Sequence, residues 1–114
     1  MLVTGSRDWD DWRTLSLALL DAADGRDDVT VIQGAARGAD HLAAQLARKM
    51  GWEVESYPAD WDRYGKSAGF RRNAEMVALG ADVCLAFIKD DSRGATHCAG
   101  LAEKAGIPVR RFAA

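Results

Sequence analysis

Proline and cysteine are scarce in this 114-residue chain, with two of each. Cys84 and Cys98 have neither metal-ligand spacing nor a CxxC arrangement, and both sit among apolar residues. That excludes a disulfide framework and predicts packed, reduced thiols in a cytoplasmic protein. His41 and His97 lack a ligand-spaced partner, so no metal is expected. Long hydrophobic runs are missing too: no stretch approaches the roughly 20 apolar residues of a membrane span. Met1-Leu-Val-Thr-Gly5 reads as an early strand and not as a secretory leader. An excess of one charge is also lacking. Fifteen Lys and Arg stand against 17 Asp and Glu, a formal net charge of −2, which argues against a protein that binds nucleic acid by neutralising phosphates. Linkers, repeats and low-complexity segments are absent, and one domain over residues 1–114 is expected.

What remains is an ordinary globular composition, 48% hydrophobic and 28% charged, with glycines at telling places. Val29-Thr-Val-Ile-Gln33 is a β-prone run that meets Gly34. After a short loop, Gly38 opens a helix reaching Met50, and Gly51 stands where a C-terminal cap belongs. A strand–loop–helix join leaves backbone N–H groups free at the helix N-terminus, where the dipole favours an anion. Small residues at Gly34, Ala35, Ala36 and Gly38 would let a phosphate approach the backbone, and Arg37 adds charge-assisted donors. The plain alternative is a turn glycine.

Upstream, Leu2-Val-Thr4 ends in Gly5-Ser-Arg7, a second strand-end glycine beside a hydroxyl and a cation. Asp8 or Asp10 is expected to cap the next helix, in which Trp12, Leu15, Leu19 and Ala22 recur at helical spacing. In the helix after Gly38, Leu42, Ala43, Leu46, Ala47 and Met50 share a face. Residues 53–57 alternate as a strand, and residues 58–69 read as a long irregular connection of the kind that is often functional. Residues 70–79 read as a third helix, and 83–88 as a strand buried on both faces. A polar loop leads to a fourth helix ending near Ala105, and residues 109–112 make a last strand. Five strands alternating with four helices predict an α/β fold: a Rossmann-like three-layer domain with a parallel five-stranded sheet in order 3-2-1-4-5. The loops after strands one and four then part at their C-terminal ends. The crevice between them is expected to be lined by residues 5–7, residues 34–38, the Trp61/Tyr64 segment and residues 93–96.

Thr4-Gly-Ser-Arg7, Gly34-Ala-Ala-Arg-Gly-Ala-Asp40, Tyr57-Pro-Ala-Asp-Trp61, Arg72-Asn73 with Met76, and Arg93-Gly94 together resemble the YspA-type (cpYpsA-related) branch of the SLOG superfamily. Its relatives include the DNA-processing protein DprA and the LOG phosphoribohydrolases. The resemblance implies binding of a nucleotide or a nucleotide-derived ligand of the NAD or ADP-ribose kind. It further implies a sensor or sequestering role and a homodimer or higher homo-oligomer, and it fixes no cofactor. An alternative is a nucleotide N-glycosidase. Arg72-Asn-Ala-Glu-Met76 resembles the LOG motif whose arginine is catalytic, so Arg72 is the catalytic candidate if the chain is an enzyme. In the LOG loop that carries the catalytic Glu, only Gly94 matches; Ala95 stands at the Thr and Cys98 at the Glu. Cleaving an N-glycosidic bond needs a base for water and support for developing charge. The ligand site therefore transfers more readily than the activity. A third reading, single-stranded DNA binding as in DprA, needs a basic groove that the net charge of −2 does not suggest.

Each candidate side chain also has a plainer role. Arg7, Arg37, Arg72 and Arg93 suit phosphate, or pair at the surface with Asp8, Asp40 or Asp91. Ser6 and Thr96 suit phosphate oxygens, or turns and caps. Asp40 is expected to cap its helix, or to hold Arg37. Trp61 and Tyr64 suit a stacked base, or packing of the long loop. Asn73 suits a ribose hydroxyl or a backbone group, His97 is a weaker candidate, and Glu75 reads as a solvated charge.

Overall fold

The computed structural model describes residues 1–113. Five strands pair in parallel in the order β3-β2-β1-β4-β5. They are β1 (Leu2–Gly5), β2 (Thr30–Gln33), β3 (Glu53–Ser56), β4 (Cys84–Ile88) and β5 (Val109–Ala113). The crossovers carry α1 (Trp12–Ala23), α2 (Ala39–Lys49), α3 (Trp61–Tyr64), α4 (Ala68–Ala78) and α5 (Arg93–Lys104). This is the three-layer, Rossmann-like arrangement expected from the alternation of elements. No helix among the described residues is long and apolar enough to cross a membrane.

Side chains along a strand point alternately to the two faces, and the core divides accordingly. Val3, Val31, Leu85 and Phe87 pack with Leu15 and Leu19 of α1 and Ala43 and Ala47 of α2. Leu2, Ile32 and Cys84 pack on the other face with Met76 and Val77 of α4 and Cys98 and Ala102 of α5. The register places Leu2 opposite both Ile32 and Cys84, so neighbouring strands present the same face together. An apolar run in β4 is the consequence of covering both faces.

Several local expectations are corrected. Asp11, and neither Asp8 nor Asp10, caps α1: its Oδ1 accepts from Thr14 N at 3.1 Å and its Oδ2 from Thr14 Oγ1 at 2.6 Å. Trp9 is the reason. Its ring is buried against Phe87, and its Nε1 donates to Asp11 O at 3.0 Å, which holds a turn and delays the helix. Trp12 is consequently 58% exposed, and the buried stripe of α1 runs through Leu15, Ala18, Leu19 and Ala23. In α2 the buried stripe is Ala39, Ala43 and Ala47, with Leu42 and Leu46 at its margin and Met50 exposed. Small residues are required there because α2 lies so close to β1 that a Cβ on Gly5 would collide with the Ala39 side chain.

The segment 58–69 is ordered and not irregular. Asp60 Oδ1 accepts from Arg63 N at 3.1 Å and starts the single turn of α3. A 3-10 turn, Gly65–Ser67, follows and delivers the chain into α4 two residues before the expected start. The α-helices therefore number five among the described residues, not four.

Candidate functional site

The connection after β1 runs to one side of the sheet and that after β4 to the other, so a crevice opens at the C-terminal ends of these two neighbours. It holds a cavity of about 330 Å³. Gly5, Ser6 and Arg7 enter from β1, Ala36, Arg37 and Asp40 from the β2–α2 join, and Arg72 and Asn73 from α4. Lys89, Ser92, Gly94 and Ala95 close it from the β4–α5 side. A second cavity of about 450 Å³ shares Arg7, Ala36, Arg37 and Arg72, and adds Gly34, Ala35, Pro58 and Trp61. Tyr64, Arg93 and Thr96 line neither. Tyr64 is held between Arg63 and Arg71, whose guanidiniums lie 5.1 and 4.3 Å from its ring centre.

The β2–α2 loop is held from within through its own N–H groups, and at the start of α2 Ala39 N donates to Ser6 O at 3.3 Å. Asp40 Oδ2 accepts from Gly34 N at 3.1 Å and Ala36 N at 3.3 Å. Gln33 Oε1 accepts from Ala35 N at 2.5 Å, while Gln33 Nε2 donates to Ser56 Oγ. Asp40 therefore braces the loop and neither caps α2 nor pairs with Arg37; the N-cap is Gly38, with φ 73° and no side-chain bond. A Cβ on Gly38 would strike the backbone of Ser6 and Arg7. Gly34 is small for Arg72, since a Cβ there would overlap the guanidinium. Gln33 is a participant that sequence reasoning passed over. An amide closing the β-prone run just before Gly34 was the available signal.

Arg72 links the elements around the crevice. It donates through Nη1 to Gly34 O and, at 3.4 Å, to Tyr57 O, and through Nε to Asn73 Oδ1 at 3.0 Å. Buried Asn73 passes the link on, donating to Gly94 O at 3.1 Å and lying 3.3 Å from His97 Nδ1. Ser6 Oγ accepts from Lys89 N at 2.7 Å and donates to Lys89 O at 3.0 Å, tying the ends of β1 and β4.

Free backbone donors also lie at the start of α5. Ser92 makes no side-chain cap bond and the first turn carries no acidic residue, so the first N–H groups of this 12-residue helix lack partners. Gly94 leaves open space beside them. Arg7, Arg37, Arg72 and Lys89 line the cavity together with Asp8, Asp40 and Asp90. In the second cavity, Arg7 Cζ stands 5.6 Å from the ring centre of Trp61, which is 48% exposed.

The model of the YspA, cpYpsA-related SLOG family (YAcAr) matches residues 1–64, from β1 through α3. The chain belongs to this SLOG family. It is also similar to the Gene 61 protein of Mycobacterium phage D29, 48% identical over 118 residues that cover 98% of this chain and 94% of the relative. No solved structure matches. Within the SLOG chain, Cys98 stands where the LOG resemblance expects a carboxylate. It is fully buried, and burial pushes its thiol up to about 11; Cys84 is pushed to about 12 by the same cause. Asp40 is the buried carboxylate of the crevice, raised to about 6 chiefly by burial and against the pull of its N–H donors and of Arg72 and Arg7.

Proposed function

We propose that this SLOG chain binds a nucleotide or a nucleotide-derived ligand of the ADP-ribose kind, as a sensor or sequestering protein in the cytoplasm. The observation that carries the reading is the pair of adjoining cavities sharing Arg7, Arg37 and Arg72. One ends at the uncapped N-terminus of α5, a match for phosphate. The other ends at the exposed ring of Trp61, a match for a base. Placement of the fully buried Cys98 at the LOG carboxylate position speaks for binding without N-glycosidic cleavage. Self-association as a homodimer is part of the same proposal.

Native mass spectrometry of the protein purified from cells tests the reading. The expected spectrum carries an adduct with the mass of a nucleotide or dinucleotide fragment. A bare mass, together with no calorimetric binding of AMP or ADP-ribose, would overturn it.

A further inference from the structure

Asp40 Oδ1 is the buried side-chain oxygen that has no hydrogen-bond partner among the described residues. The residue is 5% exposed and lines the 330 Å³ cavity. Its other oxygen is taken by the Gly34 and Ala36 N–H groups, so the carboxylate is fixed with one acceptor left over. An unmet buried acceptor is destabilising, and folded chains meet such groups with water, an ion or a ligand. The nearby cations do not meet it. Arg72 is committed to Gly34, Tyr57 and Asn73, and no ion pair among the described residues includes Asp40. A metal cation is disfavoured: no group of three His, Cys, Asp or Glu is assembled among the described residues. Arg7, Arg37, Arg72 and Lys89 around the cavity would also repel it. An anion is repelled by the carboxylate itself. A neutral hydrogen-bond donor satisfies every one of these conditions.

We propose that Asp40 Oδ1 is the reading acceptor of the crevice, taking a hydrogen bond from a hydroxyl or amino group of the bound nucleotide while Oδ2 holds the loop. The inference rests on the nucleotide reading above and sharpens its ligand class: one molecule must bring both a phosphate for the arginines and a neutral donor for Asp40. Bare phosphate brings no sugar or base donor, and any O–H it keeps at neutral pH comes with a negative charge that the carboxylate repels, so it uses only the first half of the site. Sugar hydroxyls and exocyclic amines are the two sources of such a donor in a nucleotide.

Calorimetry with AMP, 2′,3′-dideoxy-AMP and purine riboside 5′-phosphate separates these sources. All three keep the 5′-phosphate; the second lacks the sugar donors and the third the base amine. At about pH 8, above the Asp40 pKa of about 6, one analogue is expected to bind about tenfold more weakly than AMP, the worth of a hydrogen bond to a charged group. In Asp40→Asn, an amide oxygen can replace Oδ2 toward the loop and an NH2 then replaces the free acceptor, so the difference between AMP and that analogue should vanish. Should that variant not fold, the unaltered chain decides. Its preference for the donor should shrink at about pH 5, where Asp40 is protonated. Arg7, Arg37, Arg72, Lys89, Asp8 and Asp90 line the same cavity and His97 adjoins it through Asn73; their effects fall on all three probes alike and cancel in the comparison between analogues. Equal binding of all three probes, or a donor preference unchanged both by Asp40→Asn and by pH, would overturn the proposal while leaving nucleotide binding intact. Failure of all three to bind would overturn the nucleotide reading and this inference together.

Discussion

Asp40 sets local energetics as well as recognition, because a carboxylate held near pH 6 in the folded chain titrates near 4 when unfolded. Between those values the folded chain holds a proton that the unfolded chain has lost. Stability therefore falls as pH rises through this window, and the contribution levels off above the folded pKa. The fall from this one buried group is on the order of 2–3 kcal/mol. Urea unfolding of the protein and of Asp40→Asn across about pH 4–7 measures it: the variant should lose that downward slope, and parallel slopes would show that Asp40 titrates normally. Arg37 gives the complementary test at the mouth of the crevice. It is exposed and makes none of the bonds that brace the loop, so Arg37→Ala should leave the denaturation midpoint unchanged. AMP binding should weaken by about 1.5–3 kcal/mol, the worth of hydrogen bonds to a charged group. An unchanged affinity would remove Arg37 from the site.

At the scale of elements, the β2–α2 join decides whether the crevice exists. Gly38 has φ 73° and ψ −126°, a region that a side chain enters only with strain, and a Cβ would meet the Ser6 and Arg7 backbone. Gly38→Ala should destabilise the fold by about 2–4 kcal/mol, combining backbone strain with displaced packing. It should weaken AMP binding as Arg7 moves. Gly94→Ala is the control, since its Cβ meets nothing within 4 Å; its unfolding midpoint should not fall. A wild-type midpoint for Gly38→Ala would show that the join is not constrained. The glycines at the strand ends made this join legible in the sequence, and the alternation of β-prone and helical stretches made the sheet order legible. Hydrogen bonding within the loop was not legible. Asp40 sits six residues beyond Gly34, and only the folded path shows its carboxylate turning back onto the loop instead of capping α2. Likewise the Trp12 spacing matched a buried face, but burial of Trp9 fixed where α1 begins. Asp60 before Trp61 was a readable cap for α3, hidden by the expectation that a loop would follow Pro58.

The crevice gathers Arg7, Arg37, Arg72, Asp40 and Asn73 at the C-terminal edge of the sheet, while large apolar side chains are exposed elsewhere. Trp12, Leu17, Met50 and Leu79 are each between 47% and 68% exposed. Between α1 and α2 lies an apolar groove formed by Trp12, Leu42 and Leu46 and bordered by Gln45, Arg48 and Lys49. None of its lining residues borders the crevice cavities, so association through this groove would leave the ligand site open. The rim of basic and amide groups around an apolar centre matches the anatomy of a protein interface, and a second copy of the chain is the partner we propose. A stable dimer needs about 800 Å² buried on each copy, more than the groove alone supplies, so the contact must extend along the exposed sides of both helices. The protein is expected to sediment as a dimer at micromolar concentration, and Trp12→Arg to sediment as a monomer with AMP binding retained. A monomeric wild-type chain would remove the dimer. A dimer indifferent to Trp12→Arg would move the interface to another face, with the Leu79 end of α4 the next surface to alter.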